Sequence, residues 1–170
     1  MFARLVLIAA AGVAAVGVVS AQTKVAVISM QQAILSTADI KKASSDLEAK
    51  FKPRQQAIEK LRTDLDAIQQ KLQAGQGRLS QSQEADLNLE GQRKQRELQR
   101  LSQDLQEDVD NTRNEILAGA GRRMQEVVRK LADEHGVDVV VEAGSTLFFK
   151  AALDLTPDAI AAYDKAYPAK

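Results

Sequence analysis

From about Gln31 to His135, apolar residues recur at helical spacing, and the stretch reads as two long helices with one break around Gln73–Ser82. In the first helix Leu47, Phe51, Ile58, Leu61, Leu65, Ile68 and Leu72 follow an alternating three-four spacing, interrupted only by Arg54. That spacing, with a period of about 3.5, keeps one narrow stripe against a partner helix. The second helix carries Leu87, Leu98, Leu101, Leu105, Val109, Ile116, Met124, Val127 and Leu131. Leu98, Val109, Ala120 and Leu131 lie eleven residues apart, which favours an untwisted or slightly right-handed seam. Gly91 and Lys94 stand at seam positions, and Gly119 and Gly121 each cost about 1 kcal/mol relative to Ala. At about 1.5 Å per residue the helices should run about 65 Å and nearly 80 Å. A compact chain of this length has a radius of gyration of only about 15 Å, so the hairpin must project as an arm. Pro53 inside the first helix predicts a kink near Phe51.

The pattern changes at both ends of the arm. Lys24–Ser29 is apolar on both faces and predicts a short strand buried on both sides. Met30–Ser36 starts a helix, and Thr37-Ala38-Asp39 predicts a break and a new cap. Gly136 ends the second arm, Val137–Glu142 predicts a second strand, and Thr146–Lys150 a third, the last two forming a β-hairpin. In the final helix Thr156 is the expected N-cap, Pro157 the first helical residue, and Leu155 and Ile160 a hydrophobic staple. Because the arm goes out and returns, the first two strands start from the same place and can pair. The fold class is therefore α+β and mostly α: a long coiled-coil-like hairpin, or tentacle, on a small three-stranded β base with a C-terminal helix. Such a base is a poor core alone, and several chains are expected to complete it by sharing their strands.

Composition sharpens this picture. Hydrophobic residues make up 45% of the chain, but aromatics only 4% and Trp is absent, so one chain has little material for a large core. Residues 1–21 read as a cleavable signal peptide: Arg4, an apolar run from Leu5 to Val19, then Val19-Ser20-Ala21 before Gln22. The run is shorter than the roughly 20 residues of a spanning helix. The domains expected are 1–21 signal peptide, 22–36 with 136–170 as a β-rich body, and 37–135 as the arm with its tip near 74–82. The full chain is formally neutral, and removal of Arg4 leaves the remainder at −1. That balance argues against a general nucleic-acid binder.

Candidate chemistry is sparse. With no Cys, the chain has no disulfide, thiolate nucleophile, Cys-ligated zinc or lipoprotein anchor on Cys. His135 is the one histidine and suits a helix C-terminus better than catalysis. Asp64/Asp66 and Asp104/Glu107/Asp108 read as solvated helix faces, not as metal ligands or an acid–base pair. Gly119-Ala-Gly121 lacks the third glycine and the preceding strand of a phosphate-binding loop, and Arg122 and Arg123 are a weak anion signal. No enzyme, cofactor or metal is expected. A polar arm with scattered apolar positions can hold an unfolded chain by many weak contacts, and several such arms add avidity.

The opening VAVISMQQAILSTADIKKA (25–43), the Leu47-x-x-x-Phe51-x-Pro53-Arg54-Gln55 start of the arm, and HGVDVVVEAGSTLFFKAALDLTPDAIAAYDKAY (135–167) together resemble the Skp/OmpH family of periplasmic chaperones for outer-membrane proteins. The resemblance covers nearly all of the chain after residue 21, and the C-terminal segment is its most specific part. It implies a homotrimer in which three helical hairpins hang from a shared β body around a cavity. Val25, Val27, Val139, Val141, Leu147 and Phe149 would belong to that body. The cavity would hold unfolded outer-membrane β-barrel proteins in the periplasm without ATP. The best-known members are strongly basic and this chain is not. Its tip offers Lys71 and Arg78 against Glu84 and Asp86, which leaves peripheral membrane or lipopolysaccharide contact open. The alternatives are a periplasmic coiled-coil scaffold or adaptor that binds a folded partner through its arm, and a membrane-anchored stalk that retains residues 1–21.

Overall fold

A computed structural model describes residues 23–169, so the signal-peptide expectation for residues 1–21 lies outside the described residues. The chain order is β1 (Val25–Ile28), α1 (Met30–Ser36), α2 (Ala38–Ala74), α3 (Gln81–His135), β2 (Val139–Glu142) and α4 (Thr156–Ala166). Short 3-10 turns at Ala143–Ser145 and Ala151–Leu153 connect β2 to α4.

Thr37 ends one helix and begins the next. Its hydroxyl donates to the Ile34 carbonyl at 2.9 Å and accepts from the Ile40 amide at 3.4 Å, and the residue is buried. One side chain thus serves the orphan groups at the end of α1 and the start of α2. From there α2 runs for 37 residues, unbroken through Pro53. A capping box opens α3: Ser80 accepts from the Gln83 amide at 3.3 Å while the Gln83 side chain accepts from the Ser80 amide at 2.9 Å. Gly136, with φ 60°, closes α3 in the left-handed conformation that a side chain resists. At about 1.5 Å per residue, α2 spans about 55 Å and α3 about 80 Å, lying antiparallel along the arm.

β1 and β2 pair in parallel, Val25 with Val139 through Ile28 with Glu142, and the whole arm is their crossover. The Lys24 amide donates to Asp138 Oδ2 at 2.8 Å and helps fix this register. Ser29 gives α1 no side-chain cap. Its own amide donates instead to Thr156 Oγ1 at 2.9 Å, and the Met30 amide to Glu142 Oε2 at 3.2 Å. The free amides at the α1 start are therefore satisfied by the C-terminal part of the chain.

The helices cover one face of this sheet. Ile28, Ala33, Ile40, Ala120, Met124, Val127, Leu131, Ala159 and Tyr163 form a continuous core, with Val140 packed against it. On α3 the positions 120, 124, 127 and 131 are one helical stripe.

Two expectations fail. Thr146–Lys150 forms no strand, and no β-hairpin follows β2. The 3-10 turn brings the Thr146 amide back to the Ala143 carbonyl instead of folding the chain against β2. Thr146 and Lys150 are extended, but a strand needs a ladder partner, and the other side of β1 is occupied at Val27 by Asp154 and Leu155. Thr156 is not the N-cap of α4 either. It lies inside the first turn, the Asp154 carboxylate accepts from its amide at 2.9 Å, and its hydroxyl serves Ser29.

Met124→Ala should lower stability by about 2–5 kcal/mol, because the side chain is fully buried and its removal leaves a cavity. Thr156→Val should cost about 1–3 kcal/mol by leaving the Ser29 amide unsatisfied. Urea midpoints at fixed chain concentration check both. A Met124→Ala protein as stable as the parent would contradict the core described here.

Candidate functional site

The described residues offer surfaces more than reactive groups. No group of three or more His, Cys, Asp or Glu among them could hold a metal ion, and no helix among them is long and apolar enough to cross a membrane. The features to weigh are the arm and the outer face of the body.

On the arm, Phe51, Ile58 and Ile68 are buried. Leu47, Leu61, Leu65 and Leu72 of α2 and Leu98, Leu101, Leu105 and Val109 of α3 are half-buried. Two charged residues at seam positions have partners across the arm. Arg54 pairs with Asp108, and Lys94 with Asp64 at 2.8 Å. Gly91 sits opposite Ile68, where an added Cβ would lie 3.6 Å from Cγ2. Lys50 and Arg54 also flank the Phe51 ring, 5.2 and 5.8 Å from its centroid. Sequence reasoning placed Asp64 and Asp108 on solvated faces. The signal it passed over was a lone charge in each stripe, which calls for an opposite charge on the facing helix.

The thin seam leaves a groove of 520 Å³ near the tip, lined by Leu65, Leu72 and Leu87 together with Asn88, Gln92, Gln95 and Arg96. Apolar side chains beside amides suit an extended peptide, because the amides match free backbone groups, and Arg96 adds one positive charge to the lining.

On the body, the register puts Val25, Val27, Val139 and Val141 on the sheet face opposite Ile28 and Val140. Val27 is buried and Val141 half-buried, but Val25 and Val139 remain 40% and 47% exposed. Phe149 is half-buried, while Leu147 is fully exposed and its neighbour Phe148 83% exposed. Among the described residues β2 has only β1 as a neighbour, so one edge of β2 carries free backbone groups. An open strand edge beside exposed apolar side chains is an association surface.

A polar cluster at the foot of the arm was not foreseen. Asp39 Oδ2 accepts from Arg123 Nη1 at 2.8 Å and from the Tyr163 hydroxyl at 3.2 Å. Arg123 therefore already has a carboxylate partner and is not an anion site in waiting. The Tyr163 hydroxyl holds the Arg123 guanidinium further above its ordinary pKa, and burial pushes the Tyr163 phenol up. Beside them the Tyr167 hydroxyl donates to Glu126 at 3.1 Å, and that contact raises the Tyr167 phenol.

The hydrogen bond from Lys94 holds the Asp64 carboxyl below the usual range, and the same bond raises the Lys94 ammonium. A depressed carboxyl stabilises above its unfolded pKa and loses that contribution as pH falls through the folded value. A raised ammonium stabilises below its unfolded pKa and loses the contribution as pH rises through the folded value. A carboxyl carbon NMR titration should place Asp64 below an ordinary aspartate, and Lys94→Met should return it upward. An unchanged midpoint in the variant would contradict the pairing.

Comparison with known proteins bears on what these surfaces are for. The sequence profile of the family described as outer membrane protein (OmpH-like) matches residues 24–163. A Skp-like protein of Pseudomonas aeruginosa is 30% identical over 159 residues, covering 94% of each chain. The chaperone protein Skp of Salmonella typhimurium is 28% identical over 155 residues, covering 89% of this chain and 94% of its own. The fold is also similar to that of an OmpH-like protein of Caulobacter crescentus, with a TM-score of 0.75, 20% identity and coverage of 88% and 89%. The arm, the parallel strand pair at its base and a match over nearly the whole described chain lead to one conclusion: this chain belongs to the Skp/OmpH family.

Proposed function

We propose that the chain is an ATP-independent holdase chaperone, which binds unfolded outer-membrane β-barrel proteins in the periplasm and prevents their aggregation. The observation that carries this reading is a projecting arm with a half-buried apolar seam, raised on a body with an open strand edge. Family relatives named chaperone protein Skp support the chaperone role.

In this reading three chains share one β body. Val25, Val139 and Leu147 leave solvent on assembly, joined by the half-buried Val141 and Phe149 and the already buried Val27. The exposure of Val25, Val139, Leu147 and Phe148 supports it, as does the free edge of β2. A cyclic arrangement closes such edges, which an isolated two-stranded sheet cannot do. Three arms then surround a volume. Each weak contact with a client is multiplied by its neighbours, so no single tight site is needed. The near-neutral chain holds its clients by apolar and amide contacts more than by charge.

Dilution of a urea-unfolded β-barrel protein into buffer with chain 22–170 tests this by light scattering. Aggregation should be suppressed at a trimer-equivalent of chaperone per client, and suppression should persist at moderate salt, where exposed charges are screened. Failure at a several-fold excess would move the function to the scaffold reading, in which the arm binds a folded partner.

A further inference from the structure

We propose that the groove between α2 and α3 near the tip of the arm receives the last residues of an extended peptide chain, with Arg96 taking that chain's terminal carboxylate. The groove exists because one seam position has no side chain. Gly91 stands in the α3 stripe between Leu87 and Lys94, where the spacing asks for an apolar residue. Packing does not require glycine there. A Cβ at Gly91 would lie 3.6 Å from Ile68 Cγ2, an ordinary contact, and glycine inside a helix is destabilising relative to alanine. What glycine provides is space: 520 Å³ lined by Leu65, Leu72 and Leu87 among others.

The lining selects the occupant. Gln69, Asn88, Gln92 and Gln95 supply amides that both donate and accept, as a peptide backbone requires. Arg96 is the one charged residue of the lining. Among the described residues it has no ion-pair partner, whereas its neighbours Lys94 and Arg100 pair with Asp64 and Asp104. The residues three and four positions from it along α3 are Gln92, Arg93, Gln99 and Arg100, so no acid on its own helix face answers it. Leu87 and Arg96 are nine residues apart, about 14 Å along α3. That length holds about four extended residues at about 3.3 Å each. Leu87 lies at the tip end of the groove and Arg96 at the body end, so the carboxylate that Arg96 requires sits at the end of the bound segment and not within it. A chain terminus meets that demand, because its carboxylate continues the backbone and leaves every side chain of the segment free to be apolar or neutral. In an extended segment alternate side chains can face the leucines while the others face solvent, which is the pattern of a β-barrel strand. The proposal rests on the holdase reading for its client class and adds that the arm takes the client by a strand that ends the chain.

A short peptide tests this without a whole client. Thr-Val-Thr-Leu, labelled with fluorescein at its N-terminus, is titrated with chain 22–170 and followed by fluorescence polarisation, once as the free acid and once as the C-terminal amide. The free acid should bind about tenfold more tightly, the worth of one charge-assisted hydrogen bond. Arg96→Gln should bind both forms equally, at the parent's affinity for the amide. Gly91→Leu should fill the groove and weaken the free acid at least about tenfold, while its urea midpoint stays at or above the parent's, because a helix glycine is replaced. Inorganic phosphate at the peptide's concentration should not displace the free acid. Equal binding of acid and amide by the parent, binding of neither, a preference that survives Arg96→Gln, or displacement by phosphate would each overturn the proposal. The holdase reading is judged separately by light scattering, so a chain that protects its client yet ignores the peptide terminus sinks this proposal alone.

Discussion

The parallel pairing of Val25–Ile28 with Val139–Glu142 is the constraint on which the rest depends. Lys24 and Asp138 are 114 residues apart and share a hydrogen bond. Parallel strands need a crossover, and this chain makes it an excursion of about 55 Å out and about 80 Å along the return helix. The extra length of α3 is its lower part, which runs past the foot of α2 into the body. Bringing such distant segments together costs chain entropy, although that cost rises only slowly with loop length. It is offset where α1, α3 and α4 converge on Met124 and Tyr163, and where Thr156 and Glu142 satisfy the free amides at the start of α1.

The arm is held differently. Its apolar seam is one residue wide, so most members are half-buried, and cross-helix ion pairs occupy positions where apolar residues would bind more firmly. Exposed and half-exposed pairs contribute little each. A helix pair of this kind keeps its register with little buried area. The body concentrates burial and the arm spreads it out.

Much of this was legible in the sequence because it rests on periodic or local signals. The three-four spacing of Leu47 to Leu72 marked the seam, Thr37 the break and Gly136 the stop. The break in the spacing around Gln73–Ser82 marked the tip, though the Ser80–Gln83 capping box within it went unread. Signals between distant residues were harder. Asp64 with Lys94 and Asp39 with Arg123 look like ordinary surface charges until the helices are laid side by side. The segment Thr146–Lys150 has strand composition, yet strand character belongs to a pair, and within one chain it finds no partner. Thr156 reads as a cap by local rule, but its hydroxyl is drawn away by the Ser29 amide, a contact no local pattern reveals.

That unpaired segment and the open edge of β2 place the weight of the account on assembly. Native mass spectrometry of chain 22–170, alone and after mixing with a urea-unfolded β-barrel protein, weighs that claim most directly. Three chains are expected in the free protein, and three chains carrying one client in the mixture. A single-chain mass in the free protein, or a trimer that never acquires client mass, would contradict it.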